Sequence, residues 1–153
     1  VVLSGVNRGA NVGRAVLHSG TVGAALTAAV NGARALAVSL DVGLDPGVRE
    51  HHWDTAVAVA ATLFDRLAAL PPGTVLNLNV PDRAHVGAPE RAGLAEFGTV
   101  RARIEDTDDG TIALAPVVVD DRPAPGTDAA LLADGRATLT PLRPVTEDPE
   151  VAG

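Results

Sequence analysis

The chain has no cysteine, no methionine and no tyrosine, and all twelve of its basic residues are arginine. Without cysteine there is neither a disulfide framework nor a Cys-ligated zinc, an absence compatible with the cytosol, where the protein is expected to reside. Without methionine, and opening on the apolar run Val1-Val2-Leu3, the chain is expected to be the later part of a longer protein. Aromatic residues make up only 2%, so Ala, Val and Leu must fill the core, a composition that suits parallel strands packed on helices. The lack of lysine, beside the Ala, Gly and Val bias, reads as codon usage of a GC-rich genome rather than selection for guanidinium forks. Positive charge is scarce: 12 basic against 19 acidic residues leave a net charge of −7 and a pI near 4.9. Such a surface disfavours polymeric nucleic acid as a partner, since affinity for a phosphate backbone needs basic residues. A single nucleotide needs only a local site and is not excluded. No apolar run has the length needed to span a bilayer, so no membrane partner is expected.

What is present is enough for one domain with a core: 153 residues, 46% of them hydrophobic. The stretch Ser4-Gly5-Val6-Asn7-Arg8-Gly9-Ala10-Asn11-Val12-Gly13, followed by His18-Ser19-Gly20-Thr21, is polar and rich in glycine. Val1 to Leu3 reads as the end of a buried strand, and residues from Ser4 to about Leu17 as a loop. Ser19 is placed to cap a helix whose apolar positions Val22, Ala25, Leu26, Ala29 and Val30 recur at helical spacing. Asn31-Gly32 supplies a left-handed stop, and Ala35 to Leu40 reads as a buried strand. Strand, loop, helix and strand make one βαβ unit. At such a junction unpaired backbone N–H groups and the positive end of a helix dipole converge. The loop is therefore expected to bind a phosphate group and one side of a metal ion.

Farther along, Asp41 to Glu50 reads as a loop and about His51 to Leu70 as one helix, with Trp53, Val57, Ala60, Phe64 and Leu67 on one face. Pro71-Pro72-Gly73 ends that helix, and Thr74 to Val80 reads as a strand. Arg83 to Glu96 has loop composition. Gly98 to Glu105 and Thr111 to Val119 read as two strands of a hairpin turning at Asp106-Thr107-Asp108-Asp109-Gly110. Gly126-Thr127-Asp128 opens a short helix, Ala137 to Leu142 is a last strand, and Pro144 to Gly153 an acidic tail. The fold class expected is α/β: a Rossmann-like, mostly parallel sheet with helices on both faces, plus a C-terminal β-hairpin extension. Residues 1–82 are expected to form part of the α/β domain and 83–153 the extension and C-terminal segment. Removal of preceding strands would leave the edges of the Val1–Leu3 and Ala35–Leu40 strands unpaired.

The loop from Ser4 to Gly13, Ser19-Gly20-Thr21-Val22, Ala35 to Leu40, Leu78-Asn79-Val80-Pro81, Gly126-Thr127-Asp128 and Thr138-Leu139-Thr140-Pro141-Leu142 occur in this order. Together they resemble the survival-protein E (SurE) family of 5'/3'-nucleotidases over nearly the whole chain. The resemblance implies a metal-dependent phosphomonoesterase acting on nucleoside monophosphates. It implies Mg²⁺ or Mn²⁺ as cofactor and a homodimer or homotetramer in the full-length protein. By the same resemblance Asn7 is a metal ligand, while Asn11, Ser19, Gly20 and Thr21 belong to the phosphate or substrate pocket. The family's Asn-Asp-Asp-Gly segment and its following serine ligand are not among these residues, so the resemblance implies a chain inactive alone. A different class fits the same gap: a non-catalytic anion-binding or oligomerisation module.

Each residue also has a plainer reading. Asn7 and Asn11 suit left-handed turn positions. Ser19 serves as an ordinary N-cap under either reading. The loop is neither a P-loop nor Gly-x-Gly-x-x-Gly. Arg8 and Arg14 either contact phosphate or are solvated, and His18 is either a general acid or a helix-entry residue. His51-His52 with Asp54 would make a metal cluster only if adjacent histidines converged, so a surface role is expected. The Asp106–Gly110 run lacks the spacing of a calcium loop. Asp128 is expected to cap a helix or pair with an arginine rather than to catalyse.

Overall fold

The computed structural model describes residues 1–43, 47, 50–96, 100–106, 112–118 and 123–146, with backbone alone for 100–106 and 112–118. Strands β1 (Val2–Arg8), β2 (Ala35–Asp41) and β3 (Val75–Pro81) run parallel, joined by helices α1 (Gly20–Val30), α2 (Trp53–Ala61) and α3 (Phe64–Ala69). The two-residue strand β4 (Glu90–Arg91) follows. Then come β5 (Val100–Asp106) and β6 (Ile112–Val118), which pair antiparallel as a separate hairpin. Helix α4 (Asp128–Ala133) leads into β7 (Thr138–Leu142), which lies antiparallel to β3. The five-stranded sheet has the order β1-β2-β3-β7-β4. It thus draws strands from both sides of residue 82.

Strand periodicity explains the layers. Successive side chains of β2 point to opposite faces. Leu36, Val38 and Leu40 pack on one face against Ala56, Val59, Leu63 and Leu67 of the α2–α3 segment. Ala35 and Ala37 face the other way, against Val22, Ala25 and Ala29 of α1. Helices therefore cover both faces of a mostly parallel sheet, as the sequence reading expects. Four leucines, Leu36, Leu40, Leu67 and Leu78, have no measurable exposure. Each contributes roughly 1.5–3 kcal/mol by burial, which compensates for the lack of aromatic residues. A smaller cluster of Val12, Ala95, Ala129 and Leu132 joins the glycine-rich loop to α4.

Helix α1 ends as its sequence requires. Gly32 has φ 81°, its N–H donates to the Ala29 carbonyl, and the Ala33 N–H donates to that of Ala28. Those two bonds form a Schellman stop.

Three expectations are corrected. The loop starts later than Ser4, because β1 continues to Arg8. Residues Val2 to Ser4 pair with Ala35 to Ala37, and after an irregularity Asn7 and Arg8 pair with Ser39 and Leu40. The helix expected from His51 to Leu70 is broken at Thr62 and Leu63. There the Thr62 hydroxyl donates back to the Val59 carbonyl and the Leu63 N–H to that of Ala60, which tightens and ends the first helix. Finally, β2 has no free edge, since it lies between β1 and β3; of β1 and β2, only β1 is an edge. The hairpin is present as expected, although its turn at residues 107–111 and the tail from residue 147 lie outside the described residues. Among the described residues no helix is long and apolar enough to cross a membrane.

Candidate anion and metal site

Parallel β1, β2 and β3 put their carboxyl ends on one rim, and the first connection, from β1 to α1, crosses that rim. In open α/β sheets this is where ligands bind. The rim connection begins at Asn7. The Asn7 Nδ2 donates to the Gly9 carbonyl at 2.8 Å, which fixes the side-chain amide. Its Oδ1 has no hydrogen-bond partner among the described residues and remains available as a neutral oxygen. Gly9, with φ 105°, turns the chain, and its N–H donates to the Leu40 carbonyl at 2.8 Å.

Asn11 is the most tightly held residue of the loop. Its N–H donates to Asn79 Oδ1 at 2.7 Å, and its carbonyl accepts from Asn77 Nδ2 at 2.8 Å and Asn79 Nδ2 at 2.9 Å. Its own Nδ2 donates to Ser39 Oγ at 2.7 Å. Ser39, Asn77 and Asn79 are fully buried on β2 and β3. Two residues later the Gly13 N–H donates to Asp128 Oδ2 at 2.8 Å. The other oxygen of Asp128 accepts from the N–H groups of Ala95 and Ala129, so one buried carboxylate ties three backbone positions together. Asp128 is thus neither cap nor arginine partner: Thr127 caps α4, and Asp128 clamps the glycine-rich loop to the 95 loop and to α4.

A 3-10 turn over Gly13–His18 delivers Ser19, whose Oγ accepts from the Val22 N–H at 3.1 Å as the N-cap of α1. The N–H groups of Gly20 and Thr21, first in the helix, have no intrahelical acceptor and lie at the positive end of the helix dipole. The βα connection therefore brings Asn7, Asn11 and Ser19 to Thr21 to one end of the sheet. Arg8, Arg14 and His18 are exposed, with no side-chain hydrogen bond or ion pair among the described residues to direct them.

The residues present fit a hard divalent ion only in part. Such an ion takes six or more oxygen ligands, usually with carboxylates. Asn7 Oδ1 is one suitable oxygen, but among the described residues no group of three or more His, Asp or Glu side chains is arranged to hold a metal ion.

A second polar cluster lies on the same rim, at the ends of β2 and β3. His51 Nδ1 lies 2.5 Å from Asp82 Oδ2. His52 Nδ1 lies 2.9 Å from Asp82 Oδ1, and that oxygen also accepts the His52 backbone N–H at 2.7 Å. The surface role expected for the pair holds for His52 alone. The Trp53 N–H donates to the His51 carbonyl while His52 sits at φ −85°, ψ 60°, an inverse γ-turn that swings both rings onto one carboxylate. Burial pushes the Asp82 carboxyl up. The backbone N–H of His52 and the two imidazoles outweigh it and hold the carboxyl below its ordinary value. Trp53 meets the His51 ring edge-on, with centroids 6.0 Å apart.

Sequence reasoning missed Ser39, Asn77, Asn79 and Asp82. Asn at i and i+2 of an otherwise apolar strand was the available signal, because a fully buried parallel strand has no reason to carry carboxamides unless something above it needs them.

Layers, rim and loop define a Rossmann-like α/β domain with a glycine-rich strand–loop–helix junction at the carboxyl end of its parallel strands. Residues 1–105 match the family model described as survival protein SurE, and the chain belongs to that family. It is 42% identical over 151 residues to the 5'-nucleotidase SurE of Nitratidesulfovibrio vulgaris, covering 94% of this chain and 54% of that one. It is 35% identical over 155 residues to the 5'-nucleotidase SurE of Rhodopseudomonas palustris, covering 94% and 60%. The chain thus spans a little over half the length of these relatives. The crystal structure of the SurE protein from Aquifex aeolicus superposes with a TM-score of 0.74 at 23% identity, covering 99% of this chain and 62% of that one.

Proposed function

We propose that the intact protein is a phosphomonoesterase that hydrolyses nucleoside 5'- or 3'-monophosphates to nucleoside and phosphate. The observation that carries this reading is Asn7, whose amide nitrogen is held by Gly9 so that Oδ1 stays free on the rim that also carries the N-terminus of α1. Relatives named 5'-nucleotidase SurE support it. The N–H groups of Gly20 and Thr21 would hold the phosphoryl oxygens, with Ser19 and Asn11 shaping the pocket and Arg8 and His18 at its margin. Mg²⁺ or Mn²⁺, when bound, would supply charge neutralisation at the phosphoryl group. Asn7 would be one ligand, and carboxylates beyond these 153 residues would complete the set. The intact protein is proposed to be cytoplasmic and to work as a homodimer or homotetramer, while residues 1–153 alone turn over substrate at background.

The experiment is phosphate release from AMP or GMP by the intact protein with Mn²⁺ or Mg²⁺. Asn7→Ala is expected to reduce kcat/KM by about a hundredfold, the typical effect of losing one well-placed electrostatic contact in such a site. An unchanged rate removes the role given to Asn7. The lack of a carboxylate cluster among the described residues favours a second reading, a non-catalytic anion-binding or oligomerisation module. Phosphate binding without metal dependence or turnover in the intact protein would select it.

A further inference from the structure

We infer that Asn79, assisted by Asn77, is the positioning residue that sets the conformation of the Asn7–Gly13 loop. Its meaning for phosphate binding rests on the function proposed above; its structural content does not.

A glycine-rich loop over a sheet end has no ladder of its own, so each of its peptide groups needs a partner from elsewhere. Residue 11 receives both of its partners from one side chain. The Asn79 carboxamide accepts the Asn11 N–H through Oδ1 and donates to the Asn11 carbonyl through Nδ2, as an adjacent peptide group would. Hydroxyl, carboxylate and aliphatic side chains of this size lack that pairing of one fixed acceptor with one fixed donor. Asn77, two residues back on the same face of β3, adds a second donor to the same carbonyl. Ser39 lies opposite Asn79 in the β2–β3 register and takes the Asn11 side chain. The loop is thereby pinned at Gly9 by Leu40, at Asn11 by β2 and β3, and at Gly13 by Asp128.

A purely stabilising core would not be built this way. Asn77 Oδ1 and the hydroxyls of Thr138 and Thr140 are buried without hydrogen-bond partners among the described residues. Thr140 and Thr138 face Asn77 and Asn79 across the β3–β7 pairing. Unpartnered buried polar atoms cost stability, and apolar residues of the same shape would avoid that cost. The two carboxamides of the band are explained by the loop they hold above them, whereas the two threonine hydroxyls hold nothing there.

The test uses the intact protein with Asn79→Leu, the milder Asn77→Leu and the control Thr138→Val, which removes a neighbouring hydroxyl that bonds nothing in the loop. Amide hydrogen exchange at Asn11 is expected to speed up about tenfold or more in Asn79→Leu and by a smaller factor in Asn77→Leu. In Thr138→Val it should not change. Affinity for inorganic phosphate and kcat/KM for AMP are expected to fall in the same order, again with Thr138→Val unchanged. Should Asn79→Leu fail to fold, Asn77→Leu decides by the same readouts. Unaltered exchange at Asn11, or faster exchange with unaltered phosphate affinity, overturns the inference. If the unsubstituted protein neither binds phosphate nor hydrolyses AMP, the function proposed above fails, and the exchange pattern alone decides whether Asn79 positions the loop.

Discussion

Asp82 accepts three hydrogen bonds from two consecutive histidines, and its carboxyl is held below the ordinary value of 3.8. A depressed folded-state value means the contribution is fully present above the unfolded value and is lost as pH falls through the lowered one. The urea midpoint is therefore expected to drop as pH is taken from about 5 downward through that region. Asp82→Asn should lower the midpoint at neutral pH and flatten this part of the pH profile; an unflattened profile would show that other carboxylates govern acid unfolding. Asp128 offers a sharper case. It satisfies the N–H groups of Gly13, Ala95 and Ala129 at full burial, so Asp128→Ala leaves buried donors without partners. The loss is expected to be roughly 3 kcal/mol or more in urea denaturation, well above a surface substitution. Both carboxylates are plain in the sequence, but their partners are not. Backbone N–H groups from positions 13 and 95 carry no signature in residue type, so only the fold reveals that Asp128 is a clamp.

At the scale of elements, the junction of β1, loop and α1 was the most legible part of the chain. Its composition marked it as a rim loop, and Ser19 caps α1 as its position required. Ser19→Ala is expected to lower stability by about 1 kcal/mol, measurable as a shift in the urea midpoint. The glycine at position 5 was legible only as one member of a glycine-rich loop. In the structure it lies inside β1 at φ 129°, and an added Cβ would collide with the Val38 carbonyl of β2. Gly5→Ala is therefore expected to cost several kcal/mol and to disturb the β1–β2 pairing, detectable as lost exchange protection at Val2 to Ser4. What hid the full extent of β1 was its polar sequence: Ser4, Asn7 and Arg8 look like loop, yet they pair with β2 because the edge position tolerates them. The break between α2 and α3 was hidden for a different reason. The apolar period runs through it unbroken, while one threonine hydroxyl returns to the backbone and ends the turn. Pairing partners were not legible either. Nothing local in Thr138–Leu142 announces that it joins β3 antiparallel, since such registers are set by contacts remote in sequence.

For the whole molecule, the sheet has one long exposed flank. β1 is its edge, and Val2 and Leu3 are 37% and 53% exposed there. Beside it an apolar cleft of about 190 Å³ opens between Leu3, Val6, Val57 and Phe64. An open parallel edge with apolar side chains is a template for association. The net charge of −7 opposes that association, but its reach shrinks to about 8–10 Å at physiological salt. Residues 1–153 taken alone are therefore expected to self-associate, and light scattering should rise as salt is added. Leu3→Arg should suppress the rise. A monomeric, cooperative melt insensitive to salt would show that the edge is protected.

The rim cluster of His51, His52 and Asp82 has a practical consequence, because the only indole in the chain lies against it. With no tyrosine among them, residues 1–153 owe their ultraviolet emission essentially to Trp53 alone. The light these residues emit therefore reports from one place, the point where His51 and His52 latch the start of α2 to the end of β3. Unlatching by acid, by Asp82→Asn or by a ligand settling on the rim should each be visible in a fluorimeter without any label attached.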